Sequence, residues 1–229
     1  QLVASMKDEK GKITINGFYD DVLELTEEDR ADIARVPYNE AEYIKELDVT
    51  ELHGEEGYST RERLWARPTL DVNGIWGGYQ GLGSKTVHPS EASVKITCRL
   101  VDNQNPEKIY GLIREHVKEK LPVGVKSEVI RLAGSADPFV MPRSHNANQI
   151  ARDVLQEVYE MVPYNTRVGG SIPIMTIFLK ELGVYGIMFG FSVGDENLHA
   201  PNEFFRLKNF RRGQEAYCKL LYKLGEQSL

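Results

Sequence analysis

The 229-residue chain is 41% hydrophobic, with 28 Lys+Arg against 34 Asp+Glu and a formal net charge of −6. That balance excludes nucleic acid and anionic membrane as main partners and leaves room for a small polar ligand. Two cysteines, Cys98 and Cys218, are too few for a disulfide framework or a thiolate metal site, which fits a reducing, cytoplasmic setting.

No apolar run approaches the roughly 18 residues that span a bilayer, and residues 1–30 lack the layout of a signal peptide. The opening Gln1-Leu2-Val3-Ala4-Ser5-Met6 reads as the tail of a helix already under way, so a piece of a longer protein is expected. Residues 7–11 form a charged turn and residues 12–15 a short extended piece. Thr26 opens a helix with acidic residues in its first turn, and Pro37 stops it. Asn39 caps a second helix through about Leu47, and Ser59 or Thr60 a third through Trp65, ended by Pro68.

From Leu70 the period changes. Residues 70–76 are strand-like, a glycine-rich turn runs through Gly83, and residues 91–101 alternate. Ala92, Val94, Ile96, Cys98 and Leu100 share one face, and Ser93, Lys95, Thr97 and Arg99 the other. Asn105 caps and Pro106 starts a helix with Ile109, Leu112, Ile113, Val117 and Leu121 on one stripe, and 125–132 reads as a further strand. Two strands, a helix and a strand make a two-layer α+β sandwich over residues 1–134.

A loop with Gly134, Pro138 and Pro142 marks the boundary to a second fold over residues 135–229. There Ile150, Val154, Val158 and Met161 trace an amphipathic helix. Ser171 caps a short, all-round apolar helix stopped by Gly183, and 184–191 is an apolar strand; both are expected to be fully buried. A last helix is expected from about Pro201 to Leu224, so this half reads as one end of an α/β sheet.

Gly78 to Thr86 is superficially like a phosphate-binding loop, but Ser84 separates Gly83 from Lys85 and a strand follows where a helix is required. A glycine-rich hairpin is the better account. His199 falls in a polar loop after an apolar strand, the place where α/β sheets bind ligands. Neutral imidazole is a common zinc ligand, and Asp195, Glu196 or Glu203 can orient its other nitrogen. On spacing alone a solvated loop histidine is the simpler account, because a metal needs three or four ligands and His199 alone cannot make a site. Arg99, mid-strand on the polar face, is either a bidentate clamp for a carboxylate or a solvated surface residue. His53, His88, His116 and His145 show no partner pattern.

Four segments in order carry a resemblance: Gly83-Ser84-Lys85-Thr86-Val87-His88-Pro89, Cys98 to Pro106, Gly169-Gly170-Ser171-Ile172-Pro173, and His199-Ala200-Pro201-Asn202-Glu203. Together they resemble the carnosinase, glutamate carboxypeptidase and succinyl-diaminopimelate desuccinylase family of co-catalytic zinc hydrolases. Asn16 to Asp20 and Tyr58 to Arg67 look most like its cytosolic dipeptidase branch. The resemblance implies a lid, or dimerisation, domain at 1–134, incomplete at its amino-terminal end, and the carboxy-terminal part of an α/β zinc-peptidase domain at 135–229.

It further implies that His199 is a metal ligand, that Thr86 and Arg99 contact the carboxylate end of substrate, and that Gly170 and Ser171 line the pocket. The implied cofactor is zinc, two per active site, with manganese or cobalt as substitutes. The implied partners are a small peptide or N-acyl amino acid substrate and a second copy of the chain, joined through the lid. The implied reaction is hydrolysis of an amide bond by metal-activated water. His88 stands where the family has an apolar residue and Asp102 where it has proline. The family's other metal ligands, its catalytic Glu and a lid histidine have no counterpart in the sequence, so no catalytic residue is assigned here and the chain alone is expected to be inactive. A non-catalytic dimerisation module, or an aminoacylase or desuccinylase activity, stays open.

Overall fold

Side-chain caps set the first three helices. In the computed structural model, which describes residues 1–167 and 172–226, α1 spans Glu27–Arg35, α2 Glu40–Leu47 and α3 Thr60–Ala66. The Thr26 hydroxyl accepts from the Asp29 N–H at 3.1 Å while the Asp29 carboxylate accepts from the Thr26 N–H at 3.1 Å, a reciprocal box that satisfies two orphan donors. Ser59 and Glu62 repeat it on α3. Asn39 accepts from the Glu42 N–H at 3.3 Å on α2, which ends on the left-handed Asp48. Buried Glu62 also receives Arg30 at 2.8 Å, tying α3 to α1.

Arg67, immediately after α3, is buried. Its Nε and Nη2 donate to the two Glu55 oxygens at 3.0 and 2.6 Å, and its guanidinium lies 4.8 Å from the Tyr19 ring centre and 4.3 Å from that of Tyr58. Burial works against the charge, but the Glu55 hydrogen bonds and charge outweigh it, and the Arg67 pKa is raised. One planar cation thus pins residues 19, 55 and 58 together.

β1 (Thr69–Gly77) and β2 (Ala92–Arg99) form an antiparallel two-stranded sheet. Leu70 opposes Cys98 and Val72 opposes Ile96, after which a bulge at Asn73 resets the register so that Ile75 opposes Val94 and Trp76 opposes Ser93. The extra residue lets Val72 and Ile75, three apart, share a face, and puts Trp76 beside Lys95 on the other, the ammonium 5.8 Å from the ring centre. α4 (Pro106–Lys120), capped by Asn105, lays Ile109 and Val117 into a core with Met6, Ile13, Ile15, Phe18 and Leu70, flanked by Ile96, Cys98 and Leu100. Helix on sheet gives the mixed α and β layers expected from the sequence. Cys98 is pushed up to about 11 by burial, and both cysteines are free thiols.

Two compact units partition the chain: Gln1–Phe139 with Thr166–Thr176, and Val140–Asn165 with Ile177–Leu229. In the second, α5 (Asn146–Tyr159) packs on the last helix, which spans Leu207–Gly225, through Ile150, Ala151, Val154, Ala216 and Leu220. Between them in sequence lies α6 (Pro173–Ile177), continued by a π turn at Phe178–Leu182, so the last helix is α7. The turn stops at Gly183, whose φ of 68° and N–H bond to the Leu179 carbonyl make a left-handed cap.

Several expectations are corrected. Residues 125–132 form no strand: only Val129 reaches the core, and its carbonyl accepts from the Tyr110 hydroxyl at 2.9 Å. Residues 184–191 join no strand among the described residues and are not fully buried. Ile187, Phe189 and Phe191 pack on α5 and α7, whereas Val184 and Met188 are exposed, so the period is that of a strand with one covered face. Nor is the short helix buried, Ile177 being 50% and Leu182 66% exposed. A strand exists only where a neighbour takes its backbone groups, and among the described residues none lies beside either segment. α7 starts at Leu207 rather than near Pro201 because Asn202 is left-handed, which an α-helix cannot include.

Removing Glu55 strands the Arg67 guanidinium in a buried site. Glu55→Ala is therefore expected to cost about 3 kcal/mol in urea unfolding, whereas Glu24→Ala, an exposed carboxylate 3.7 Å from the same cation, costs under ~1 kcal/mol.

Candidate functional site

Arg99 ends β2 on the polar face of the sheet, exposed, with its backbone N–H 3.4 Å from the Thr69 hydroxyl. The ladder fixes that face: Thr69 opposes Arg99 and Asp71 opposes Thr97, with Lys95 and Trp76 further along. A planar guanidinium at the end of this face suits a carboxylate, and Lys95 and Trp76 pair with each other further along the strand. Thr86 is exposed on the long connection between β1 and β2, where the Tyr79 hydroxyl donates to the Leu82 carbonyl at 3.1 Å and Lys85 lies 5.5 Å from the Tyr79 ring centre. Gly170 and Ser171 lie outside the described residues.

His199 belongs to the second unit. The segment 187–191 leading to it is anchored by Phe191, which sits against α7 where a Cβ on Gly213 would approach its ring to 3.0 Å; only glycine permits that contact without a shift. The Tyr217 hydroxyl also donates to the Phe189 carbonyl at 2.6 Å. Beyond Phe191 the chain turns through 193–206 before α7 begins.

Glu196 is the center of that turn. Its side chain has 0% exposure, while residues 192–195 and 197–205 around it are exposed. Oε2 accepts from the Val193 N–H at 3.0 Å, and Oε1 from the Arg206 N–H at 3.1 Å and the Arg206 guanidinium at 3.3 Å. Asp195 takes the same guanidinium bidentately at 2.9 and 2.7 Å. Burial pushes the Glu196 pKa up, but these hydrogen bonds and the Arg206 charge more than offset it and hold the carboxyl below its ordinary 4.5. The Arg206 hydrogen bonds likewise hold Asp195 below its ordinary value. Sequence reasoning named Glu196 as a group to orient the imidazole and missed its pairing with Arg206, because nothing in the sequence marks which loop charge is buried.

Inside the turn Asn197, His199 and Asn202 all have positive φ, 53°, 61° and 63°. Asparagine tolerates this conformation; for histidine it costs about 1 kcal/mol. Asp195 and Glu196, named from the sequence as groups that might orient the imidazole, are instead committed to Arg206 and to backbone N–H groups. The His199 side chain is exposed and has no hydrogen-bond or ion-pair partner among the described residues. An unpartnered, solvent-facing imidazole fits as one donor to a metal ion. Among the described residues no three His, Cys, Asp or Glu side chains gather into a complete site. No helix among them is long and apolar enough to cross a membrane.

Residues 1–125 match the peptidase dimerisation domain. A Cys-Gly metallodipeptidase of Candida albicans is 30% identical over 96% of this chain and 45% of its own length. The crystal structure of an M20 family metallo-carboxypeptidase from Sulfolobus solfataricus superposes with a TM-score of 0.83 at 30% identity, covering 96% of this chain and 50% of that one. The structure of a dipeptidase from Saccharomyces cerevisiae superposes at 0.81 and 26% identity, covering 100% and 48%. The chain therefore spans about half the length of the relatives it matches.

Two measurements probe the turn. Glycine carries no penalty at positive φ, so His199→Gly is expected to be more stable than His199→Ala by on the order of 1 kcal/mol in urea unfolding. A depressed carboxyl stabilises the fold above its unfolded value and loses that contribution as the pH falls through the folded one. The Glu196 contribution is thus complete above pH 4.5 and lost below it, where the amide chemical shifts of Val193 and Arg206 should move together.

Proposed function

Since the chain belongs to the peptidase dimerisation-domain family, we propose that it is one half of a metal-dependent dipeptidase or carboxypeptidase that hydrolyses a peptide or N-acyl amide bond. The observation that carries this reading is similarity along nearly the whole chain to a Cys-Gly metallodipeptidase, at 30% identity, combined with a sheet face that presents Arg99 to solvent. Residues 1–134 are the lid, or dimerisation, domain and residues 135–229 the carboxy-terminal part of the catalytic domain, of a cytoplasmic homodimer.

The division of labour follows from chemistry. Arg99 holds the carboxylate of the substrate through its planar fork, which fixes the end of the peptide and so the distance to the scissile amide. Thr86 adds a hydroxyl donor from the β1–β2 connection, which joins the ladder at the end opposite Arg99, and the backbone N–H groups of Gly170 and Ser171 receive an anionic group. His199 is one ligand to a pair of zinc ions, for which manganese or cobalt substitutes; bound metal supplies Lewis-acid polarisation of the amide carbonyl and activation of water. The remaining ligands and the general base belong to sequence outside this chain.

In the full-length protein Arg99→Ala is expected to raise KM for dipeptides about tenfold or more with a smaller change in kcat, and Arg99→Lys should not restore it, because an ammonium cannot make the bidentate contact. An unchanged KM for Arg99→Ala would remove the clamp from the reading. Purified alone, the chain is expected to show no dipeptide hydrolysis with added Zn²⁺, Mn²⁺ or Co²⁺; turnover that His199→Ala abolishes would show that this half suffices.

A further inference from the structure

The reading of His199 as a metal ligand leaves open what holds it in place, since no side chain among those described hydrogen-bonds or ion-pairs with its ring. We infer that Glu196 and Arg206 are positioning residues for the His199 imidazole, acting through the backbone of the turn rather than through the ring. This rests on the proposed metal role of His199.

A wholly buried carboxylate inside an exposed turn is costly unless every lone pair is used. Glu196 uses both oxygens: Oε2 on the N–H of Val193 where the turn begins, Oε1 on the N–H and guanidinium of Arg206 where it ends. Its own backbone repeats the closure, with its N–H donating to the Val193 carbonyl at 3.1 Å and its carbonyl accepting from Phe204 at 3.1 Å. A single residue therefore joins entry and exit of the loop. Asp195 grips the second edge of the Arg206 fork, so the guanidinium cannot rotate away from Glu196.

His199 lies between those anchors in a left-handed conformation that an untethered loop would leave. A connection between an extended segment and a helix needs neither a buried charge nor a left-handed histidine; any polar loop would serve. A ligand atom that must meet a metal within about 0.5 Å does need a fixed backbone, and here the rigidity comes from a buried carboxylate paired with a partly exposed guanidinium instead of a hydrogen bond to the imidazole.

The test uses the full-length protein and four variants, Glu196→Gln, Glu196→Ala, Arg206→Lys and His199→Ala, each loaded with Co²⁺. Metal affinity is measured by competition with a chelator, the ligand field by the visible absorption of bound Co²⁺, and folding by urea midpoint. Glu196→Ala is expected to weaken Co²⁺ binding by about 10–100-fold and to shift the absorption bands, as loss of an outer-shell partner does. In Glu196→Gln one oxygen becomes an amide that cannot accept from an N–H, so the loss is intermediate; Arg206→Lys breaks the fork on Asp195 and gives a smaller loss in the same direction. Should Glu196→Ala fail to fold, the two conservative variants decide. Wild-type affinity and spectrum in both of them, with loss in His199→Ala, would overturn the positioning role while leaving His199 a ligand. Wild-type affinity and spectrum in His199→Ala would overturn the ligand reading itself, and the inference with it.

Discussion

An extended backbone is a strand only if something lies beside it, and apart from one isolated bridge between Lys7 and Ile13 the described part of this molecule meets that demand in one ladder. Between β1 and β2 the ladder runs the length of both strands, and everything that lies on that sheet inherits its regularity: Leu70 and Cys98 turned to the core, Arg99 and Lys95 turned to solvent. Elsewhere the demand is met by other means. The carbonyl of Val129 takes the Tyr110 hydroxyl, that of Phe189 takes Tyr217, and the turn after Phe191 closes on a carboxylate. Side chains do one by one what a neighbouring strand would do in series.

That contrast separates the two candidate binding groups physically. Arg99 stands on a paired strand whose direction is set by backbone hydrogen bonds and by α4 packed beneath, so the orientation of its face is a property of the fold. His199 stands on a loop whose geometry is set by one buried acid and its arginine. A clamp for a flexible substrate needs a stable direction and tolerates a mobile side chain; a metal ligand needs a fixed Cα and a ring free to coordinate. The two local solutions match the two proposed tasks.

What could be seen in the sequence was local. Thr26, Asn39, Ser59 and Asn105 announce helix starts because a cap bonds residues two or three positions away, and all four act as such. The alternation of 92–99 also survives, since period two is imposed by the chain itself. What failed was nonlocal. Residues 125–132 and 184–191 have strand composition, but composition cannot supply a neighbour, and an apolar run reads as doubly buried whether or not a second layer covers it. The bulge at Asn73 depends on what β2 offers opposite, and Arg67 on the arrival of Glu55, Tyr19 and Tyr58. Around the candidate His199, the sequence singled out Glu196 but not its burial or its pairing with Arg206, because burial of a loop charge is a fact about three dimensions.

The two burials of charge obey one rule. Arg67 gathers a carboxylate and two aromatic faces; Glu196 gathers a guanidinium and two backbone N–H groups. An ion pair of this kind contributes little net stability over apolar packing, because desolvation consumes most of the attraction. What it constrains is conformation: residues 19, 55 and 58 are drawn onto Arg67, and the two ends of 193–206 onto Glu196. An apolar residue at position 196 would fill the same volume while leaving the Val193 and Arg206 N–H groups without acceptors, so the turn would be free to find another path. The charge is therefore better explained by the path it enforces than by the energy it adds, and His199 lies on that path in a left-handed conformation.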